Sequence, residues 1–189
     1  MINGINLSGL SEFTHEVRDD SAEAHFSTGI TLDWQNGTRM NVHTRRMQLG
    51  PHRISRDFEF AVDEPRQLLG LNSAPNPQEY LLGALAGCMA VVYTIGASIL
   101  GVHIESLSID IDGTLDLRGM LGLDDDAPVH LQDVRYVIHV SGDGTDAQYD
   151  ALHDRVKRYS PNYNAFINPV NLTSGTVDVV RSECMAEAV

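Results

Sequence analysis

Apolar and polar positions alternate from His25 to Trp34, where Phe26, Thr28, Ile30, Leu32 and Trp34 share one face. A period of two predicts a half-buried strand. Gln35-Asn36-Gly37-Thr38 then reads as a hairpin turn, because the Asn-Gly pair accepts the positive φ angles of a tight turn. The returning strand, Arg39 to Met47, sets Met40, Val42 and Thr44 against His43 and Arg45. After Gly50-Pro51, residues Ile54, Phe58, Phe60 and Val62 predict a third strand that stops at Asp63-Glu64-Pro65. The pattern then changes. From Asn76 to Gly101 the chain is apolar nearly all round, with Asn76 as N-cap, Pro77 at the first helical position, Glu79 at N3 and Gly101 as the stop. This predicts a buried helix about 35 Å long.

Beyond the helix, Ile104, Leu107, Ile109, Ile111 and Leu115 mark a strand over His103–Leu117, and Val134, Tyr136, Ile138 and Val140 mark another. Between them residues 118–130 read as a loop or a short helical excursion. Tyr149, Leu152, Val156 and Tyr159 form a helical stripe, Ser160-Pro161 opens a short further helix, and Val170–Arg181 reads as a last strand. The order β-β-β-α-β-β-α-α-β groups strands and helices rather than alternating them, which predicts an α+β fold with antiparallel sheets. Residues 1–24 read as a polar lead-in with a short helix near Ser11–Arg18, residues 25–181 as one domain, and residues 182–189 as a flexible tail.

A chain of 189 residues carries one sizeable core. A net charge of −13 argues against nucleic acid and against anionic membrane surfaces as partners. Tyr80 to Val102 meets the length test for a membrane span, but no Lys/Arg cluster flanks it, so burial between two copies of a soluble chain is the expected reading. The N-terminus shows no basic and apolar export pattern, and the expected location is the cytoplasm. The two cysteines, Cys88 and Cys184, then read as reduced thiols. The eight histidines show no metal-ligand spacing and no phosphate-binding glycine loop is present, so neither a metal nor a cofactor is expected.

The residue that invites chemistry is Cys88, three turns into the long helix. A lone cysteine in an apolar helix packs as a small inert hydrophobe unless a cation favours its thiolate. The cations of the early hairpin are Arg39, Arg45 and Arg46.

Ala74-Pro75-Asn76-Pro77-Gln78-Glu79-Tyr80-Leu81-Leu82, followed by Ala84-Leu85-Ala86-Gly87-Cys88, resembles the signature of the OsmC/Ohr family, the osmotically inducible and organic hydroperoxide resistance proteins. Asp63-Glu64-Pro65 ahead of it, and Ser160-Pro161-Asn162-Tyr163-Asn164 through Asn168-Pro169-Val170 behind it, fall where the family has matching segments. The resemblance implies an intertwined homodimer centred on the cysteine-bearing helices. It also implies thiol peroxidase chemistry in an oxidative stress response. Cys88 would be the nucleophile, Arg39 the residue that holds its thiolate, with Arg45 and Arg46 as alternatives, and a helix-start Glu the group that orients the Arg.

Two departures bear on the transfer. The family's helix-start Glu falls on Gln78, with Glu79 one residue later, so Glu79 reads either as orienter or as the N3 capping carboxylate. The second, resolving cysteine of the peroxidases is replaced by Ser160, and a hydroxyl cannot condense with a sulfenic acid to form a disulfide. Two functions therefore stand. One is a single-cysteine peroxidase or related redox protein acting on organic hydroperoxides and regenerated by an external thiol. The other is a non-catalytic protein that binds a small hydrophobic ligand at the dimer interface, with Cys88 merely packed.

Overall fold

The computed structural model describes residues 1–173 and 175–179. Its first helix, α1 (Leu7–Asp19), is longer than the Ser11–Arg18 helix the sequence suggests, because Asn6 caps it by accepting from the Gly9 amide. The segment before α1 is tied down. Asn3 donates to the Val102 carbonyl (2.9 Å) and to the Ser98 hydroxyl (3.2 Å), and accepts from the Ile104 amide (2.8 Å).

The early strands differ from the expected three. The first divides into β1 (Phe26–Ser27) and β2 (Ile30–Asn36), the second into β3 (Arg39–Thr44) and β4 (Met47–Leu49), and the third into β5 (His52–Ile54) and β6 (Glu59–Val62). Two antiparallel sheets result, ordered β1-β4-β5 and β2-β3-β6. In the first strand the alternation runs unbroken across the change of sheet, while in the second it slips by one residue at Arg45-Arg46, from Met40 and Val42 to Met47 and Leu49. In the second sheet Leu32 faces Val42, and Val42 faces Phe60. Every residue of β2 is exposed within the single chain, Trp34 at 66%.

The long helix α2 (Pro77–Ile99) forms as expected, with Asn76 and Glu79 making a reciprocal capping box. It ends where Gly101 takes φ +72°, the left-handed conformation that glycine adopts without steric cost. Leu85, Met89, Tyr93 and Ala97 recur every four residues, and this stripe is buried. It packs on β7 (Ile104–Thr114) and β8 (Gln132–Gly142), an antiparallel pair whose Leu107, Ile109, Ile111, Val134, Tyr136 and Ile138 face the core. The expected excursion between them holds one turn of helix, α3 (Leu117–Met120).

Helix α4 (Asp146–Tyr159) closes the core with Leu152 and Val156, both without solvent exposure. It crosses α2 at Gly96, where a Cβ would lie 2.6 Å from Arg155 Cδ and 2.8 Å from Leu152 Cδ2. Any larger residue there would force the Arg155 and Leu152 side chains to shift. Helix α5 (Pro161–Ile167) follows at once. The strand expected over Val170–Arg181 does not form among its described residues, which have no ladder partner; residues 174, 180 and 181 lie outside the described residues, as do the tail 182–189 and Cys184.

Candidate active site around Cys88

The position of α2 is set by the loop before it. Asp63, fully buried, accepts hydrogen bonds from the Thr38 hydroxyl (3.0 Å), the amides of Glu64, Leu71 and Ser73, and the Ser73 hydroxyl (2.8 Å). Burial pushes its carboxyl up, but the Ser73 hydroxyl and amide, the Glu64 amide and the Thr38 hydroxyl together hold it well below the usual aspartate range. Asp63 thereby fastens the loop to β6 and fixes where Asn76 can start the helix. Tyr80 adds a bond from its hydroxyl to the Ala61 carbonyl (2.6 Å) and a ring contact with Phe60 at 4.9 Å between centroids.

Cys88 lies three turns along α2, half-buried between the buried Leu85 and Met89. Its sulfur meets Ser160, whose hydroxyl donates to Sγ at 3.2 Å. Ser160 is itself fully buried and occupies the junction of two helices. Its amide ends α4 by donating to the Val156 carbonyl, and its oxygen caps α5 by accepting from the Tyr163 amide (3.3 Å). With its oxygen engaged by that amide, the hydroxyl proton is directed at the sulfur. Asn162 ties the same junction to α2 through the Ala84 carbonyl, 2.8 Å away and one turn before Cys88.

Beside this junction is an apolar cleft of about 310 Å³ lined by Leu85, Leu131, Val134, Tyr136, Tyr163 and Phe166. Tyr136 and Tyr163 meet edge to face at 6.2 Å, and the Tyr136 hydroxyl shares a 2.8 Å hydrogen bond with His153. Burial raises the Tyr136 hydroxyl above its ordinary value, so it remains a neutral phenol. Tyr163 and Phe166 thus line an apolar cleft that includes Leu85, about one turn of α2 before the thiol.

The other two expected site residues make no hydrogen bond to the sulfur among the described residues. Glu79 is the capping carboxylate, accepting from the Asn76 amide at 2.7 Å. Arg39 opens β3 opposite Asn36 and is exposed, as are Arg45 and Arg46. Among the described residues the hydrogen-bond partner of Cys88 Sγ is Ser160, not a guanidinium. No group of three potential metal ligands occurs among the described residues. His43 instead lies between the Asp33 and Glu59 carboxylates, and His139 faces the Asp110 carboxylate, at the exposed surface.

Sequence reasoning did not find the Asp63 hub or the Asn162 tie. Asp63-Glu64-Pro65 stood out only as a strand end and a family segment, because a run of five hydrogen bonds to one carboxylate depends on a loop conformation that composition does not reveal.

An apolar cysteine-bearing helix on a two-stranded sheet, closed by a helical pair and joined to two small N-terminal sheets, defines an α+β thiol protein. Residues 70–175, more than half of the chain, match the family model described as OsmC-like protein, and the chain belongs to that family. The fold is similar to that of an OsmC-like protein from Mycoplasma pneumoniae, with a TM-score of 0.60 at 17% identity over 76% of this chain and 89% of that one. An OsmC-like protein of unknown function from Vibrio cholerae gives a TM-score of 0.54 at 13% identity, covering 74% and 92%. An organic hydroperoxide resistance protein from Elizabethkingia anophelis gives 0.52 at 14% identity, covering 78% and 92%. No curated protein matches the sequence significantly.

Proposed function

We propose that this OsmC-like protein is a cytoplasmic single-cysteine peroxidase that reduces organic hydroperoxides and is regenerated by an external thiol. The observation that carries this reading is the half-buried Cys88 sulfur, held by the Ser160 hydroxyl beside an aromatic cleft able to take an apolar peroxide. In the first step the thiolate attacks a peroxide oxygen, the O–O bond breaks, and the alkoxide leaves as an alcohol after taking a proton. Sulfur is oxidised to a sulfenic acid. An external thiol then condenses with it, releasing water and forming a mixed disulfide, and a second thiol releases Cys88 as the thiol and leaves as the external disulfide. The kinship with a hydroperoxide resistance protein supports the substrate class.

Arg39 serves as the thiolate's cation in this reading, delivered from a second copy of the chain. Support comes from the surface the single chain leaves open. Leu81, Val91 and Ile99 of α2 are about half exposed, and β2 is exposed on both faces. The helix is long and apolar enough to cross a membrane by length and composition. A second copy covers it in the proposed homodimer, where the open space over Gly83 and Gly87 admits a close helix partner. Sedimentation should give twice the chain mass, and Val91→Lys should give single chains; a native monomer would overturn this part.

The alternative, a non-catalytic protein that binds a small hydrophobic ligand at the dimer interface, is favoured by one observation: the group facing Cys88 is a hydroxyl and not a second thiol. Consumption of cumene hydroperoxide with dithiothreitol, in the native protein, Cys88→Ser and Cys184→Ser, separates the two. Turnover lost only in Cys88→Ser supports the peroxidase. Loss in both assigns resolution to Cys184. No turnover, with Cys88 inert to iodoacetamide near neutral pH, leaves the binding protein.

A further inference from the structure

A second cleft, of about 340 Å³, opens between β8 and α4. Tyr136 and Ile138 line it from β8, Tyr93 from α2, and Tyr149, Asp150 and His153 from one face of α4, where residues three and four positions apart are neighbours. The volume is that of a small-molecule pocket. Of these six residues only Tyr136 also lines the cleft near Cys88. Leu81, Val91 and Ile99, the α2 surface given to the homodimer, lie outside it.

Three of its groups are phenol rings. Burial, and then the nearby Tyr149, raise the Tyr93 hydroxyl above its ordinary value, and burial foremost does the same for Tyr136, so both rings are neutral. Two of the phenol oxygens are already engaged. Tyr149 accepts from the Gly144 amide (3.1 Å), and Tyr136 shares its 2.8 Å hydrogen bond with His153 Nε2. The carboxylate is not engaged: Asp150 is exposed and makes no ion pair or hydrogen bond among the described residues. Neither Lys nor Arg lines the cleft. Electron-rich rings beside a free carboxylate attract positive charge, and rings whose oxygens are already bonded suit a cation that brings no N–H donors.

We propose that this cleft binds a small quaternary ammonium ion, its methyl groups packed among Tyr93, Tyr136 and Tyr149 and its charge facing Asp150. The site does not use Cys88. A neutral molecule of the same shape gains the apolar contact but neither the attraction of the rings nor that of Asp150. A primary ammonium gives up hydrogen bonds to water that the engaged phenols do not replace, and the cleft discriminates against it on that ground.

Calorimetric titration of the whole protein with choline, with its uncharged isostere 3,3-dimethylbutan-1-ol and with ethanolamine tests this. Choline should bind about tenfold or more tightly than either of the others, as expected for a cation held among aromatic rings. Asp150→Asn, a change at an exposed position, should weaken choline severalfold and leave the alcohol unchanged. Tyr149→Leu should weaken choline about tenfold, whereas Tyr149→Phe, which keeps the ring, should retain most of the binding. Cys88→Ser should alter none of these affinities. Equal affinity for choline and the alcohol, tighter binding of ethanolamine, or no binding of any of the three would overturn the proposal. Choline binding that is unchanged in both Asp150→Asn and Tyr149→Leu, or lost in Cys88→Ser, would do so too.

Discussion

The hydroxyl of Ser160 points its proton at the sulfur of Cys88 from 3.2 Å, across 72 residues of chain. Ser160 is held from three sides: its amide ends one helix, its oxygen starts the next, and its side chain has no exposure. The thiol therefore faces a fixed donor rather than a mobile one. A fixed donor favours negative charge on sulfur and on a sulfenate, but offers no sulfur with which to resolve it.

Replacing that hydroxyl with a thiol should change the chemistry. In Ser160→Cys the new sulfur occupies nearly the same position, within reach of the roughly 2 Å bond of a disulfide after a small adjustment. Stoichiometric hydroperoxide should then convert both thiols to an internal disulfide, lowering the free-thiol count by two in the Cys184→Ser background. Closing so long a loop should raise stability by up to about 4 kcal/mol relative to the reduced variant. Two thiols that persist after oxidant treatment would show that the two positions cannot meet.

The cation proposed for the thiolate is also open to test. Arg39→Ala should slow both alkylation of Cys88 and peroxide turnover on the order of tenfold, since a neighbouring guanidinium shifts the charged fraction by at least that factor. Arg45→Ala and Arg46→Ala should leave both rates within about twofold. If Arg45→Ala or Arg46→Ala produces the larger loss, the assignment to Arg39 fails.

How much of this could be read along the chain depended on the range of the interactions involved. The long helix was legible in full, because its cap, its N3 carboxylate and its terminal glycine are local signals: Asn76, Glu79 and Gly101 behave in the structure as their positions imply. The stripe from Tyr149 to Tyr159 was legible for the same reason. The early strands were legible in phase but not in partnership. The apolar phase slips by one residue at Arg45-Arg46 as the ladder moves to another sheet, and only long-range pairing shows which sheet each piece joins. Ser160 was legible as an N-cap, and its meeting with Cys88 depends on how α4 and α5 lie against α2. Glu64 carried no signal of its own. Its Oε2 is buried without a partner among the described residues by the fold of the loop, which composition does not reveal.

Glu79 provides a way to separate capping from catalysis. Asn76→Ala removes the side chain that accepts from the Glu79 amide and should cost about 1 kcal/mol, lowering the melting temperature by roughly 2–4 °C. Glu79→Gln keeps a group able to accept from the Asn76 amide, and should cost less than Asn76→Ala. If the carboxylate also orients Arg39 across the proposed dimer, Glu79→Gln should slow turnover severalfold while the melting temperature barely moves. Activity and stability falling together in both variants would limit Glu79 to its cap.

The adjacent acids Asp63 and Glu64 should impose opposite dependences on pH. Hydrogen bonding holds the Asp63 carboxyl below its ordinary 3.8, so it contributes stability at higher pH that is lost as the pH falls below that value. Burial and the charges of Asp63 and Glu79 hold the Glu64 carboxyl above its ordinary 4.5, so the folded state binds a proton there that the unfolded chain has released. Its contribution is present below pH 4.5 and is lost as the pH rises through the raised value. Glu64→Gln removes the second dependence, because an amide in the same place needs no proton. Urea unfolding should show Glu64→Gln more stable than the native protein near neutral pH, with the gain shrinking below pH 4.5. A gain that is equal at both ends of this range, or a loss near neutral pH, would mean that the folded protein satisfies the Glu64 charge by some other contact.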